Sequence, residues 1–227
     1  MREIILDTET TGLDPEKGDR VIEIACLELL NHLPTGRSLQ YYINPERMVP
    51  ADAVAIHGIT SEFLVDKPKF PEIIGSFLEF IADSPFVIHN ADFDIRFLNA
   101  ELARVKHPPF PLSRSVDTII LARQKFPGAP ASLDALCRRF NIDTSHRAKH
   151  GALVDCQLLA QVYLELRGGR QKGFALDSLE SSHNSSAKPQ VRKNFSRKLI
   201  IPSSPKEDAD HQHVLQKLRK ALWLQLK

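Results

Sequence analysis

One short stretch constrains this chain more than any other: Glu3-Ile4-Ile5-Leu6-Asp7-Thr8-Glu9-Thr10-Thr11-Gly12. The apolar run Ile4 to Leu6 predicts a buried strand, and Thr10-Thr11-Gly12 its exit into a turn. Side chains on a strand alternate between faces, so Asp7 and Glu9 share one face and Thr8 takes the other. Two carboxylates side by side at the end of an apolar sheet repel, and one of them tends to keep its proton unless a cation lies between them. With Mg²⁺ or Mn²⁺ the pair becomes a hard-oxygen site suited to phosphate chemistry. Without one it is an acidic strand end in solvent. The rest of the chain decides between the two.

The length of 227 residues allows one domain of ordinary size plus an appendage. No stretch approaches the roughly 18 consecutive apolar residues of a membrane span. The N-terminus runs straight into the strand, with no basic and then apolar leader, so the expected setting is cytoplasmic, away from membranes. Cys26, Cys137 and Cys156 follow no disulfide or zinc spacing and sit among apolar residues, which predicts buried thiols in a reducing compartment. Charge divides the chain. Residues 1–167 carry 18 Lys/Arg against 23 Asp/Glu, whereas residues 168–227 carry 12 against 5. A folded part with a net negative balance is no bulk-charge binder of nucleic acid, so any phosphate contact there must be local or made through a metal. The basic tail suits a docking segment or a loose contact with nucleic acid.

Residues 20–30 read as a second strand buried on both faces. Pro34-Thr35-Gly36 reads as a turn, and Ser38 to Asn44 as an antiparallel third strand. Short helices are expected over 51–66, broken at His57-Gly58-Ile59-Thr60. A longer helix is predicted over 71–82, where Ile73, Ile74, Phe77, Leu78 and Ile81 fall at helical spacing. Phe86-Val87-Ile88-His89 is a short buried strand, and a helix starts near Asp92. Val116-Asp117 ends another strand, and residues 118–126 form a helix stopped by Pro127-Gly128. Ser132 caps a helix with Leu133, Leu136, Cys137 and Phe140 in the core. A last helix spans about Gly151 to Leu166 and ends at Gly168-Gly169. Strands alternating with helices in this way predict an α/β domain with a mixed central sheet flanked by helices.

Two further carboxylates turn towards that sheet, and a histidine precedes one of them. Asp155 lies in register with Leu159, Val162 and Leu166, so it faces inward near the start of the last helix, where a carboxylate needs a partner. The Asp7/Glu9 edge with a metal supplies one; the alternative is a buried salt bridge to an arginine. Asp94 shares a face with Phe97 and Leu98. Asp92, two residues away and roughly 200° around the helix, is placed as its cap. His150 precedes Asp155 by five residues and cannot share its helical face. From the loop leading into that helix, or from its frayed first turn, it suits a mobile general base, where the alternative is an ordinary surface histidine.

Asp7-Thr8-Glu9-Thr10-Thr11-Gly12, His57-Gly58-Ile59-Thr60, His89-Asn90-Ala91-Asp92-Phe93-Asp94, Ser132 to Cys137, and His150-Gly151-Ala152-Leu153-Val154-Asp155 occur in this order over residues 1–168. Together they resemble the DEDDh 3′–5′ exonucleases. The resemblance implies a ribonuclease H-like fold, two divalent ions (Mg²⁺ or Mn²⁺), and hydrolysis of nucleoside monophosphates from a single-stranded or frayed DNA 3′ end. It implies that Asp7, Glu9 and Asp155 are metal ligands, that Asp94 completes the acidic set, and that His150 is the general base. It places Asp7, Glu9, Asp155 and His57, with Asp52 five residues before His57, against the terminal nucleotide. The alternative for His57 is a side chain that stabilises its turn.

Beyond the domain of residues 1–169, residues 170–206 read as a flexible linker. Within it Gln171-Lys172-Gly173-Phe174-Ala175-Leu176 resembles the short peptides that bind a bacterial sliding clamp, with Gln171, Phe174 and Leu176 as contacts; the alternative is plain linker. Residues 207–227 predict an amphipathic helix carrying Leu215, Leu218, Leu222 and Trp223. A lone tethered helix of this kind suits a groove on a partner. The family implies the catalytic subunit of a replicative polymerase as that partner, and allows for a small accessory subunit. Two other functions fit the same residues: an RNA-trimming exonuclease, and a non-catalytic adaptor that uses the fold as a scaffold.

Overall fold

The structure is a computed structural model that describes residues 1–145, 150–169 and 204–217. The chain divides into two units, Met1–Ala175 and Leu176–Lys227. The first is built on a five-stranded sheet of β1 (Arg2–Thr10), β2 (Val21–Leu30), β3 (Leu33–Tyr42), β4 (Phe86–Ile88) and β5 (Ser115–Asp117), in the order β3-β2-β1-β4-β5. β1, β2 and β3 pair antiparallel, while β4 runs parallel to β1 and β5 parallel to β4. This is the mixed sheet that the sequence predicts.

The alternation of Ile4 and Ile5 along β1 divides the core. On one face Ile4 and Leu6 pack with Phe77 of α3 (Phe70–Ile81) and with Phe97 and Leu98 of α4 (Ala91–Arg104). On the other Ile5 packs with Leu136 of α6 (Leu133–Phe140) and with Cys156, Leu159 and Val162 of α7 (Ala152–Leu166). A smaller cluster joins Ile22 to Ala53 of α1 (Ala51–His57) and Leu64 of α2 (Ser61–Leu64). α5 (Thr118–Lys125) follows β5 directly. All three cysteines are buried, as expected. Among the described residues no helix is long and apolar enough to cross a membrane.

One turn falls elsewhere than the sequence suggests. Pro34, Thr35 and Gly36 lie inside β3, and the chain reverses at Asn31-His32, both with positive φ (52° and 67°). Such a two-residue turn matches the right-handed twist of paired strands. β3 is an edge strand, where proline costs no ladder hydrogen bond, and the pairing is irregular between Leu27 and Leu29. Proline and glycine therefore mark an edge irregularity here rather than a reversal.

In the second unit the described residues form α8 (Pro205–Lys217). It begins two residues before the expected start because Ser204 and Glu207 cap it reciprocally. The Glu207 amide donates to Ser204 Oγ at 3.3 Å, and the Ser204 amide to Glu207 Oε2 at 2.8 Å. Leu218, Leu222, Trp223 and the 171–176 peptide lie outside the described residues, as does the side chain of Leu215.

Candidate active site

The strand order reverses between β1 and β4, since the chain leaves β1 towards β2 on one side and returns to β4 on the other. In open α/β sheets the crevice at the carboxyl ends of such strands is where ligands bind. Asp7 and Glu9 occupy that end of β1, both half-buried, with Thr8 buried on the opposite face. A register shift between Glu9 and Thr10 bends the strand there.

α7 brings the third carboxylate. Asp155 is buried in its first turn, in line with the buried Leu159 and Val162. His150 lies in the loop just before the helix, and its Nδ1 stands 3.3 Å from Asp155 Oδ2. The ligand atoms of Glu9, His150 and Asp155 all lie within 4.8 Å of one another. Among the described residues, the inward Asp155 thus has a histidine beside Glu9 as a partner. α4 brings the fourth carboxylate, Asp94, buried and held by Thr8 Oγ1, which donates to Asp94 Oδ1 at 2.7 Å.

Asp92 does not cap α4. It is exposed in the first turn, and the helix opens from Asn90 in a left-handed conformation (φ 73°). Asp117, at the end of β5, caps instead: its carboxylate accepts from the Asn90 and Ala91 amides at 3.3 and 3.1 Å. It also accepts from the Ile119 amide at 2.8 Å, so one side chain serves two helices.

The electrostatics follow from packing four carboxylates at the carboxyl end of the central strand. Burial, and then the charges of Asp94, Asp155, Glu9 and Glu23, hold the Asp7 carboxyl well above its usual range. Burial pushes Asp94 up to about 7 against the opposing hydrogen bonds from Thr8. Glu23, buried on β2 directly across from Glu9, is raised by burial while its bonds to Gln40, Ala152 and Tyr42 work against the shift. Removing this repulsion is what a divalent cation does, and Glu9 and Asp155, with the His150 imidazole, offer ligand atoms within 4.8 Å of one another in a carboxylate-rich site of the kind Mg²⁺ or Mn²⁺ takes. The residues therefore fit a hard metal ion.

Beside the carboxylates lies a cleft of about 220 Å³ lined by Glu9, Asp52 and His57, among others. Asp52 is exposed at the start of α1 and accepts from the Ala53 amide at 3.0 Å. His57 is buried, and its Nδ1 accepts from the Ile59 amide at 3.0 Å, so it does steady its turn as well as line the cleft. That bond leaves the ring proton on Nε2 when the imidazole is neutral. Leu13, Ile56 and Phe93 form the apolar wall, which sequence reasoning missed. Leu13 is 78% exposed, and its only trace in the sequence is an unexplained leucine just past the strand exit.

Residues 4–163 match the family described as Exonuclease, RNase_T. The chain is 51% identical to the DNA polymerase III subunit epsilon of Rickettsia felis over 92% of each protein. It is 38% identical to that of Escherichia coli K12, over 96% of this chain and 94% of the relative. Among solved structures it is similar to Exonuclease X in complex with 5′ overhanging duplex DNA, at 27% identity and a TM-score of 0.57, over 72% of this chain and 90% of that one. The nuclease domain of 3′hExo, a DEDDh family member bound to rAMP, shares the fold at a TM-score of 0.62 and 19% identity, over 73% and 91% of the two chains. The fold is thus the ribonuclease H-like α/β arrangement, and the chain belongs to the DEDDh exonucleases. Within them it is closely related to the epsilon subunits of DNA polymerase III.

Proposed function

We propose that this exonuclease removes nucleoside monophosphates from DNA 3′ ends and proofreads for the replicative DNA polymerase III. The observation that carries the reading is the meeting of Glu9, His150 and Asp155, from a strand, a loop and a helix, beside Asp7 and Asp94. Asp7, Glu9 and Asp155 would hold the metal, and Asp94 completes the set. Two bound Mg²⁺ or Mn²⁺ ions would supply charge stabilisation for an in-line phosphoryl displacement. His150 takes the proton of the attacking water, and Asp155, 3.3 Å from its Nδ1, orients the ring. The terminal nucleoside enters the cleft against Leu13, Ile56 and Phe93, with the His57 Nε2 proton and Asp52 as polar contacts. The space suits one splayed nucleoside, so a mispaired end, which melts more readily, is favoured without base reading.

Residues 170–206 would tether the domain to a docking helix over 207–227, directed at the polymerase catalytic (alpha) subunit through Leu215, Leu218, Leu222 and Trp223. Gln171, Phe174 and Leu176 would touch the sliding clamp, and a small accessory subunit is a further candidate partner. The epsilon relatives, which match over nearly the whole of both chains, support this arrangement.

The test is monophosphate release from paired and mispaired DNA 3′ ends, and from RNA, with Mg²⁺ and with EDTA. Faster release from mispaired DNA, abolished by EDTA, is expected. Preference for RNA would replace proofreading with RNA trimming, and no release from any substrate would leave the adaptor reading.

A further inference from the structure

α7 carries Asp155 and follows His150, yet its N-cap, Gly151, has no side chain to cap it. The first orphan amides of a helix need an acceptor, and a carboxylate there also favours the positive end of the helix dipole. The acceptor comes from the sheet. Glu23, 1% exposed on β2, accepts from the Ala152 amide at 3.2 Å through Oε2. Its other oxygen accepts from Gln40 Nε2 at 2.7 Å, and Gln40 also donates to the Tyr42 hydroxyl at 3.2 Å. Glu23 therefore fastens the start of α7 to the strand pair that carries Glu9, its cross-strand partner. The fastening point lies two residues from His150 and three from Asp155. A carboxylate placed among four others adds repulsion, a cost that calls for a compensating role.

We infer that Glu23 is a positioning residue of the active site, setting the approach of His150 and Asp155 to Glu9 by holding the N-terminus of α7. Resting on the exonuclease reading above, it acts through Ala152 and touches neither substrate nor metal. A ligand-positioning partner of this kind is worth about 10–100-fold in activity or metal affinity. Glutamine at position 23 offers one acceptor and one donor where Ala152, Gln40 and Tyr42 all donate, so Glu23→Gln breaks at least one of the three bonds. It also removes a charge. Gln40→Met, on the exposed edge strand, loosens the carboxylate with its charge intact.

The experiment measures kcat and KM on a mispaired 3′ end at saturating Mg²⁺, Mn²⁺ affinity by calorimetry, and melting temperature, for the parent and both variants. Glu23→Gln is expected to lower kcat and weaken Mn²⁺ binding about 10–100-fold with KM unchanged. Gln40→Met is expected to move both in the same direction by less. Parent-like kcat and Mn²⁺ affinity in Glu23→Gln would overturn the inference, even at a lower melting temperature, because the residue would then be structural. A Gln40→Met protein that matches the parent while Glu23→Gln does not would also overturn it, by assigning the effect to charge. A parent with no nuclease activity would instead sink the exonuclease reading.

Discussion

The hydroxyl of Thr8 and the carboxylate of Asp94 meet at 2.7 Å in a buried hydrogen bond that joins β1 to α4. Thr8 points away from Asp7 and Glu9, yet it anchors the fourth acid of the same site. One tripeptide thus supplies two carboxylates directly and steadies a third on a helix 86 residues later. A bond to an ionised group contributes about 1.5–3 kcal/mol, and it favours the charged form that a metal needs. Thr8→Val keeps the shape and removes the donor. It is expected to lower kcat about tenfold and to move the acid limb of the pH–rate profile upward, because Asp94 then holds its proton more tightly. Steady-state rates across pH, with the parent alongside, check this.

Metal-free protein is expected to lose stability as pH rises. Asp7 and Asp94 both titrate above the ordinary carboxylate range, Asp94 at about 7. Between that value and the unfolded one near 4, the folded chain binds more protons than the unfolded chain, so the slope of stability with pH is negative. Melting temperatures in EDTA should therefore fall between about pH 4 and about pH 7. Saturating Mg²⁺ should flatten the decline, since a cation replaces the protons. A curve that rises with pH in EDTA would contradict this electrostatic picture.

Gly12 is where the loop after β1 leaves no room. A Cβ there would lie 2.2 Å from Asp19 Oδ2. Asp19 is held by Arg47 at 2.9 Å, by the Thr11 hydroxyl and by the Asp14 amide, so it has little freedom to yield. Gly12→Ala is expected to cost about 1–3 kcal/mol and to displace the adjoining Leu13 from the cleft wall. The readouts are a lower melting temperature and a raised KM for DNA ends.

What could be read from the sequence was whatever local spacing controls. Alternation placed Asp7 and Glu9 on one face, and helical register turned Asp94 and Asp155 inward. The five-residue step kept His150 off the helical face of Asp155, and the structure puts it in the preceding loop. Longer reach defeated the same rules. Asp92 had the position of a cap, but the β4–β5 pairing brings Asp117 to the α4 amides first. Pro34-Thr35-Gly36 had the composition of a turn, but Asn31-His32 reverses the chain and an edge strand tolerates the rest. The apolar wall of Leu13, Ile56 and Phe93 comes from three separate segments, and no periodicity joins them.

The two partners of the 3.3 Å His150–Asp155 contact are expected to separate by function. His150→Ala should lower turnover by orders of magnitude while Mn²⁺ binding survives, because proton transfer is lost and the carboxylates remain. Calorimetric Mn²⁺ titration beside single-turnover rates tests that split.

The most direct measurement of the metal-holding pocket is monophosphate release from a mispaired DNA 3′ end at saturating Mg²⁺, parent against Asp155→Asn. The expected result is a loss of about 10²–10³-fold or more, with weakened Mn²⁺ binding and the fold retained. An Asp155→Asn protein working within about tenfold of the parent would contradict it, since a neutral amide cannot replace a carboxylate on which the cation depends.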